Sequence, residues 1–204
     1  PENFTCTLLP AQNEKPIVAY GTSIMHGAYA SRPGLGWTNI LGRKLNSKMI
    51  NLGFSGNGQL EPAMIDLVNE IDAKLYILDC MPNLWDKTKF SAEEIEKRMR
   101  HAEAEIHKKH PGVPIIFTEH CSGKDGINLD TVMAQKYIAV SQISAAVFKK
   151  MKKEGIKNIY QLTAKDINFD TESTLDGTHP NDIGMIQYAN AYYHLIRNKI
   201  GLSQ

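Results

Sequence analysis

A serine hydroxyl becomes a useful nucleophile only when a base takes its proton and a third group fixes that base's tautomer. Two stretches far apart in the chain carry residues of those types. Gly21-Thr22-Ser23-Ile24-Met25-His26-Gly27 follows the apolar run Pro16-Ile17-Val18-Ala19-Tyr20, which puts Ser23 at the exit of a strand and before a glycine-punctuated turn. Asp176-Gly177-Thr178-His179 spaces an acid three residues before a histidine, so carboxylate and imidazole can meet on one loop. Ser23 then reads as nucleophile, His179 as base and Asp176 as the acid that orients it. Asp176 and Asn181 also suit a turn and the N-cap of the last helix. The two roles are compatible, and Pro180 stiffens the loop in either case.

Acyl transfer develops negative charge on an oxygen and needs donors aimed at it. Asn51-Leu52-Gly53-Phe54-Ser55-Gly56-Asn57-Gly58 and Met81-Pro82-Asn83 each lie just past another apolar run. Gly53 can offer its backbone N–H, with no side chain to block an approaching ester. Asn83 can offer its side-chain amide, and Ser23 its own backbone N–H. Taken singly, the glycine-rich stretch is an ordinary turn and Pro82-Asn83 a loop punctuator.

Positioning such scattered groups requires a scaffold. Apolar runs of strand length fall at residues 16–20, 49–52, 74–79, 114–118 and 157–162. Helical patterns occupy 37–45, 61–69, 91–109, 131–154 and 182–198. The 91–109 segment opens with Ser91-Ala92-Glu93-Glu94, a capping box, and stops before Pro111-Gly112. In 131–154, Val132, Ala139, Ile143, Ala146, Val147 and Met151 follow helical spacing and predict one stripe facing a sheet. Strands alternating with helices predict an α/β fold: a parallel sheet with right-handed crossovers, covered on both faces. Such a sheet gathers ligands beyond the carboxyl ends of its strands, where Ser23, Gly53, Asn83 and the Asp176–His179 loop all fall.

Four blocks in this order at strand ends resemble the SGNH, or GDSL-like, hydrolase family. The resemblance spans roughly residues 16 to 200. It implies a three-layer, flavodoxin-like sandwich with a five-stranded parallel sheet in the order 2-1-3-4-5. It also implies that Ser23, His179 and Asp176 form a catalytic triad, with Ser23, Gly53 and Asn83 as oxyanion donors. The family's Gly-Asp-Ser-Leu reads Gly21-Thr22-Ser23-Ile24 here, and its Gly-x-Asn-Asp reads Met81-Pro82-Asn83-Leu84. The residues that depart transfer no protons, so the triad survives; the third block is the most eroded. The pattern is most similar to an outlying bacterial branch often joined to an amino-terminal β-domain. The implied activity is hydrolysis of short acyl esters such as O-acetylated carbohydrate, without a cofactor.

Composition narrows the alternatives. The chain has 204 residues, a formal net charge of +1 and 42% hydrophobic residues, enough for one domain with a substantial core. No basic patch predicts a nucleic-acid partner, and the Lys149-Lys150-Met151-Lys152-Lys153 run reads as a solvated helix end. No apolar run approaches the ~20 residues of a membrane span. The chain opens on Pro1. We read residues 1–15 as a linker or strap to an upstream domain, residues 16–204 as the hydrolase domain, and the whole as the C-terminal part of a longer periplasmic or secreted precursor. Cys80 and Cys121 follow consecutive strands and can pair if those strands adjoin, although inert buried thiols are the ordinary reading.

Further residues lie near the predicted rim. His26 either lines the pocket beside Ser23 or caps locally, and Glu119 and His120 are candidate substrate contacts. Trp37 and Trp85 either wall the pocket or pack in the core. His101, His107 and His110 read as solvated surface, and no cluster has metal-site spacing. Two other functions compete: a flavodoxin-like nucleotide-binding domain using Gly21-Thr22-Ser23 as a phosphate cradle, and an inactive carbohydrate-binding relative.

Overall fold

A computed structural model describes residues 14–120 and 130–202. Five strands form one parallel sheet: β1 (Ile17–Gly21), β2 (Met49–Gly53), β3 (Leu75–Asp79), β4 (Ile115–Thr118) and β5 (Ile159–Leu162). Their order is β2-β1-β3-β4-β5, as expected. β1, β3 and β4 are buried throughout and are correspondingly apolar, whereas β2, at the edge, is only partly covered. Gly21 stands in register with both Gly53 and Asp79, so the three strands that lead into the candidate site end flush.

Helices cover both faces. Ile65 and Val68 of α3 (Pro62–Val68), Ile95, Met99 and Ile106 of α4 (Ala92–Lys109), and Val147 and Met151 of α5 (Thr131–Lys153) pack with Val18, Tyr76 and Phe117. On the other face, α1 (Ser23–His26), α2 (Trp37–Leu45), α6 (Ala164–Ile167) and α7 (Asp182–Leu195) enclose Ile17, Ala19, Ile77 and Ile116. The short α1 and α6 were not expected, because four residues are too few to show a helical period. The last helix passes into a π-helical turn, Ile196–Ile200, and stops at Gly201 in the left-handed conformation.

Several details differ from the sequence reading. Ser91 Oγ accepts from Glu94 N at 3.2 Å, but the Glu94 carboxylate turns to Arg98 Nε at 2.7 Å instead of closing the box. The buried stripe of α5 runs through Ala134, Tyr137, Val140, Ser141, Ser144, Val147 and Met151, while Val132 is 61% exposed. Two serines complete that stripe, and a rule based on apolar residues alone misses them. Ser141 is there for a reason: its hydroxyl accepts from His120 N at 3.0 Å, satisfying the chain as it leaves β4. The helix-α4 histidines are not free surface groups either. His107 bridges Glu103 at 2.7 Å and Val113 O at 2.9 Å, and His110 Nε2 reaches Asn69 O at 2.9 Å. Cys80 is buried, with its Sγ 3.6 Å from Tyr20 O. Cys6 and Cys121, and with them the disulfide expectation, lie outside the described residues.

Trp37 packs in the core instead of walling a pocket. It is fully buried, stacked on Tyr192 with ring centroids 4.4 Å apart and planes 13° apart. The Tyr192 hydroxyl lies 2.6 Å from Thr118 Oγ1 and donates to Asp79 Oδ2 at 3.4 Å. Asp79 Oδ1 has no partner among the described residues. Burial therefore lifts the Asp79 carboxyl to about 7, although the Tyr192 bond offsets part of the rise. A carboxyl raised on folding holds a proton that the unfolded chain releases above about 4, so its contribution to stability falls as pH climbs toward 7. Asp79→Asn, which keeps the shape but cannot ionise, should raise the melting temperature relative to the parent protein at pH 8 and lose that advantage at pH 4. A difference in melting temperature that does not change between those pH values would show that Asp79 does not titrate in this window.

Candidate active site

The chain leaves β1 through Thr22, whose Oγ1 accepts from Ile24 N at 3.3 Å and caps α1. Ser23 thereby becomes the first residue of a helix, with an N–H that has no acceptor within it. Its hydroxyl faces the loop before α7. Ser23 Oγ lies 2.9 Å from His179 Nε2, and His179 Nδ1 lies 2.7 Å from Asp176 Oδ2. With Nδ1 facing a carboxylate and holding its proton, Nε2 is left to accept from the serine hydroxyl.

Asp176 holds two positions at once. Its Oδ1 accepts from Thr178 N at 2.9 Å and His179 N at 2.7 Å, so the same carboxylate makes the turn and orients the ring. Burial works to raise this carboxyl, but the His179 backbone and imidazole bonds and the Thr178 bond outweigh it and hold it below the ordinary range. Thr174 Oγ1 donates to His179 O at 2.8 Å, and Gly177 takes the left-handed φ of 82° that closes the loop. Asn181 Oδ1 then caps α7 by accepting from Ile183 and Gly184 N–H. Turn, cap and the Asp176–His179 side-chain contact thus coexist on this segment.

Behind His179, His120 is only 3% exposed, edge-on to Tyr137 with ring centroids 4.2 Å apart. Burial, with His179 nearby, pushes the His120 imidazole down to about 3, so it stays neutral at ordinary pH. Glu119 is half-buried, and its carboxylate accepts from Ala164 N at 2.9 Å at the start of α6; burial raises its carboxyl. Of the four further contact candidates, His26 is exposed, and Trp85 is partly buried with Lys136 Nζ 4.3 Å over its ring. Glu119 and His120 are committed to internal packing.

The two outer oxyanion candidates have internal partners. Gly53 N donates to Asn51 Oδ1 at 2.9 Å, and Asn83 Nδ2 donates to Asn57 O. Gln59 Nε2 reaches back to Asn83 O at 3.4 Å, so the loops after β2 and β3 are joined. Gly53 is required by packing: a Cβ there would meet His26 N at 2.2 Å and Met25 C at 2.8 Å. Its missing side chain makes room for α1, not for an ester.

Sequence reasoning missed Tyr29. Its ring stands edge-on to His179, centroids 5.2 Å apart and planes 75° apart, and its φ is 68°. A bulky residue in the left-handed region is strained by roughly 1–2 kcal/mol. Gly27 was the only local signal of an unusual turn.

At the carboxyl rim of this doubly covered parallel sheet, a serine, a histidine and an aspartate stand in one hydrogen-bonded line. The GDSL-like lipase/acylhydrolase family model matches residues 14–197, and the chain belongs to that family. A protein described as a GDSL-like lipase from Bacteroides ovatus is 34% identical, with a TM-score of 0.79 over 90% of this chain and 52% of its own. The chain therefore spans about half the length of that relative. A salicylyl-acyltransferase, SsfX3, from a tetracycline biosynthetic pathway aligns at TM-score 0.74 and 19% identity, covering 95% of this chain and 57% of its own. A family two carbohydrate esterase from Clostridium thermocellum aligns at 0.73 and 14%, covering 96% and 68%. A search of curated protein sequences found no match.

Packing at Gly53 gives a direct test. Gly53→Ala places a methyl group against the backbone of α1, and overpacking of this kind costs about 1–3 kcal/mol. A melting temperature lower by roughly 3–10 °C is the expected calorimetric result for a domain of this size. An unchanged value would mean that α1 is free to move off β2.

Proposed function

We propose that this chain is a serine ester hydrolase in which Ser23, His179 and Asp176 form the catalytic triad. The observation that carries the reading is the continuous chain of contacts from Ser23 Oγ through the imidazole to the Asp176 carboxylate, at 2.9 and 2.7 Å. Ser23 Oγ attacks the acyl carbon while His179 Nε2 takes its proton. Collapse of the tetrahedral intermediate returns that proton to the leaving alcohol and leaves an acyl-serine. Water, activated by the same imidazole, then releases the acid and restores Ser23. Asp176 stays ionised throughout and stabilises the imidazolium, a role that suits a carboxyl held below its ordinary range.

The developing oxyanion is assigned to the backbone N–H groups of Ser23 and Gly53 and the Asn83 amide. Asn83 carries two amide hydrogens, so its bond to Asn57 O leaves one for substrate. For the substrate we propose short acyl esters, with O-acylated carbohydrate as the preferred class. Family membership supports the reaction type, and the carbohydrate esterase among the structural neighbours supports the substrate class.

Labelling with a fluorophosphonate followed by peptide mapping tests the nucleophile. The label should fall on the peptide containing Ser23 and vanish in Ser23→Ala, which should also lose at least about a thousandfold in kcat on a short-chain aryl ester. Labelling elsewhere, or turnover within about tenfold of the parent, would overturn the assignment. Asn83→Ala should lower kcat by about 10²–10³ with KM nearly unchanged, the signature of a donor that acts in the transition state. A loss smaller than threefold would remove Asn83 from the oxyanion hole.

A further inference from the structure

We propose that Tyr29 selects the leaving alcohol, its ring serving as an apolar platform for an alcohol with a flat ring face, either a pyranose or an aryl group. This inference rests on the ester-hydrolase reading above. In that reaction the leaving oxygen collects its proton from His179 Nε2, so the alcohol must pass beside the imidazole. Among the described residues, the Tyr29 ring stands in edge-on contact with that imidazole, with centroids 5.2 Å apart. An edge-on approach leaves much of the tyrosine free, and the residue is 54% exposed. A ring stacked there would be held next to the proton donor.

The backbone supports the same conclusion. Tyr29 occupies the left-handed region at φ 68°, one residue after Ala28 and two after Gly27 at φ 91°. The conformation is enforced from both sides. Ala28 N donates to Ser23 O at 3.0 Å, Ala30 N to Gly27 O at 3.1 Å, and Ser31 N to Asp182 Oδ1 at 2.8 Å. More than half of the residue stays in solvent, so burial alone does not call for an aromatic ring at this strained position. Glycine would fit the backbone better. What tyrosine supplies that glycine cannot is a ring beside the base. Leu175, directly before Asp176, is 63% exposed and adds apolar surface on the same loop as the base.

The test compares three acetate esters: ethyl acetate, phenyl acetate and a methyl 6-O-acetyl-glucopyranoside. Each is measured with the parent protein, Tyr29→Phe and Tyr29→Gly. Tyr29→Gly should stay folded, with a melting temperature within about 4 °C of the parent, because relief of the left-handed strain offsets the partial burial and chain entropy it gives up. Its kcat/KM should fall about tenfold on at least one ring-bearing ester and less than threefold on ethyl acetate. Tyr29→Phe should keep the parent preference within about twofold. The aryl and pyranoside arms tell which ring the platform takes. Equal losses on all three esters would overturn the inference by reducing Tyr29 to a prop for His179. Unchanged rates in Tyr29→Gly would overturn it as well. If the parent protein turns over none of the three, the ester-hydrolase reading falls first and this inference falls with it.

Discussion

The Asp176 carboxylate is the constraint on which the candidate site depends. One oxygen takes two backbone N–H groups and bends the chain, and the other takes the imidazole N–H. An amide in its place could still make the turn but would have no second acceptor oxygen for the imidazole N–H. The loop that carries it is already closed by the Thr174 hydroxyl and an antiparallel bridge between Thr174 and Pro180. Gly184 is packed so tightly that a Cβ would meet Ser173 O at 2.3 Å. The histidine therefore sits on a segment with little freedom, which is what pre-orientation of a base requires.

The serine is held by a different device. Backbones approach so closely at the ends of β1 and β2, and in the loop after β2, that only glycine fits. A Cβ on Gly21 would meet Asp79 O at 2.4 Å, and one on Gly58 would meet Gly21 O at 2.1 Å. Phe54 N also donates to Gly21 O at 2.9 Å, binding the β2 loop to the β1 terminus. The three strand ends thus behave as one piece, and Ser23 takes its position from all of them. Two rigid units, the strand ends and the Asp176 loop, meet where Ser23 Oγ lies 2.9 Å from His179 Nε2.

Much of this was legible in the residues. Apolar runs ended by Gly21, Gly53 and Asp79 located three strands to within a residue or two, because strand burial and its glycine punctuation are local properties. The Asp176–His179 spacing encodes its own hydrogen bond. What stayed hidden depends on distant partners. Nothing adjacent to His120 reveals that α5 buries it, and Trp37 reads equally as pocket wall or core residue until Tyr192, far along the chain, is seen stacked on it. Gly53 was singled out for the right position and the wrong cause, because the α1 backbone that excludes a side chain lies across the fold. Tyr29 carries no residue-type signal for a left-handed turn.

The joined loops have a consequence for how charge is distinguished. On the proposed assignment, the single Gly53 N–H already bonds to the neutral amide oxygen of Asn51, while the Asn83 amide keeps one hydrogen free. A substrate carbonyl is a neutral oxygen too, and exchanging one such acceptor for another gains little. An oxygen bearing full negative charge forms bonds roughly twice as strong and draws the Gly53 N–H away from its resting partner. Internal competition of this kind works as a threshold: the ester itself is bound without much grip, and the Gly53 N–H commits only as the charge appears.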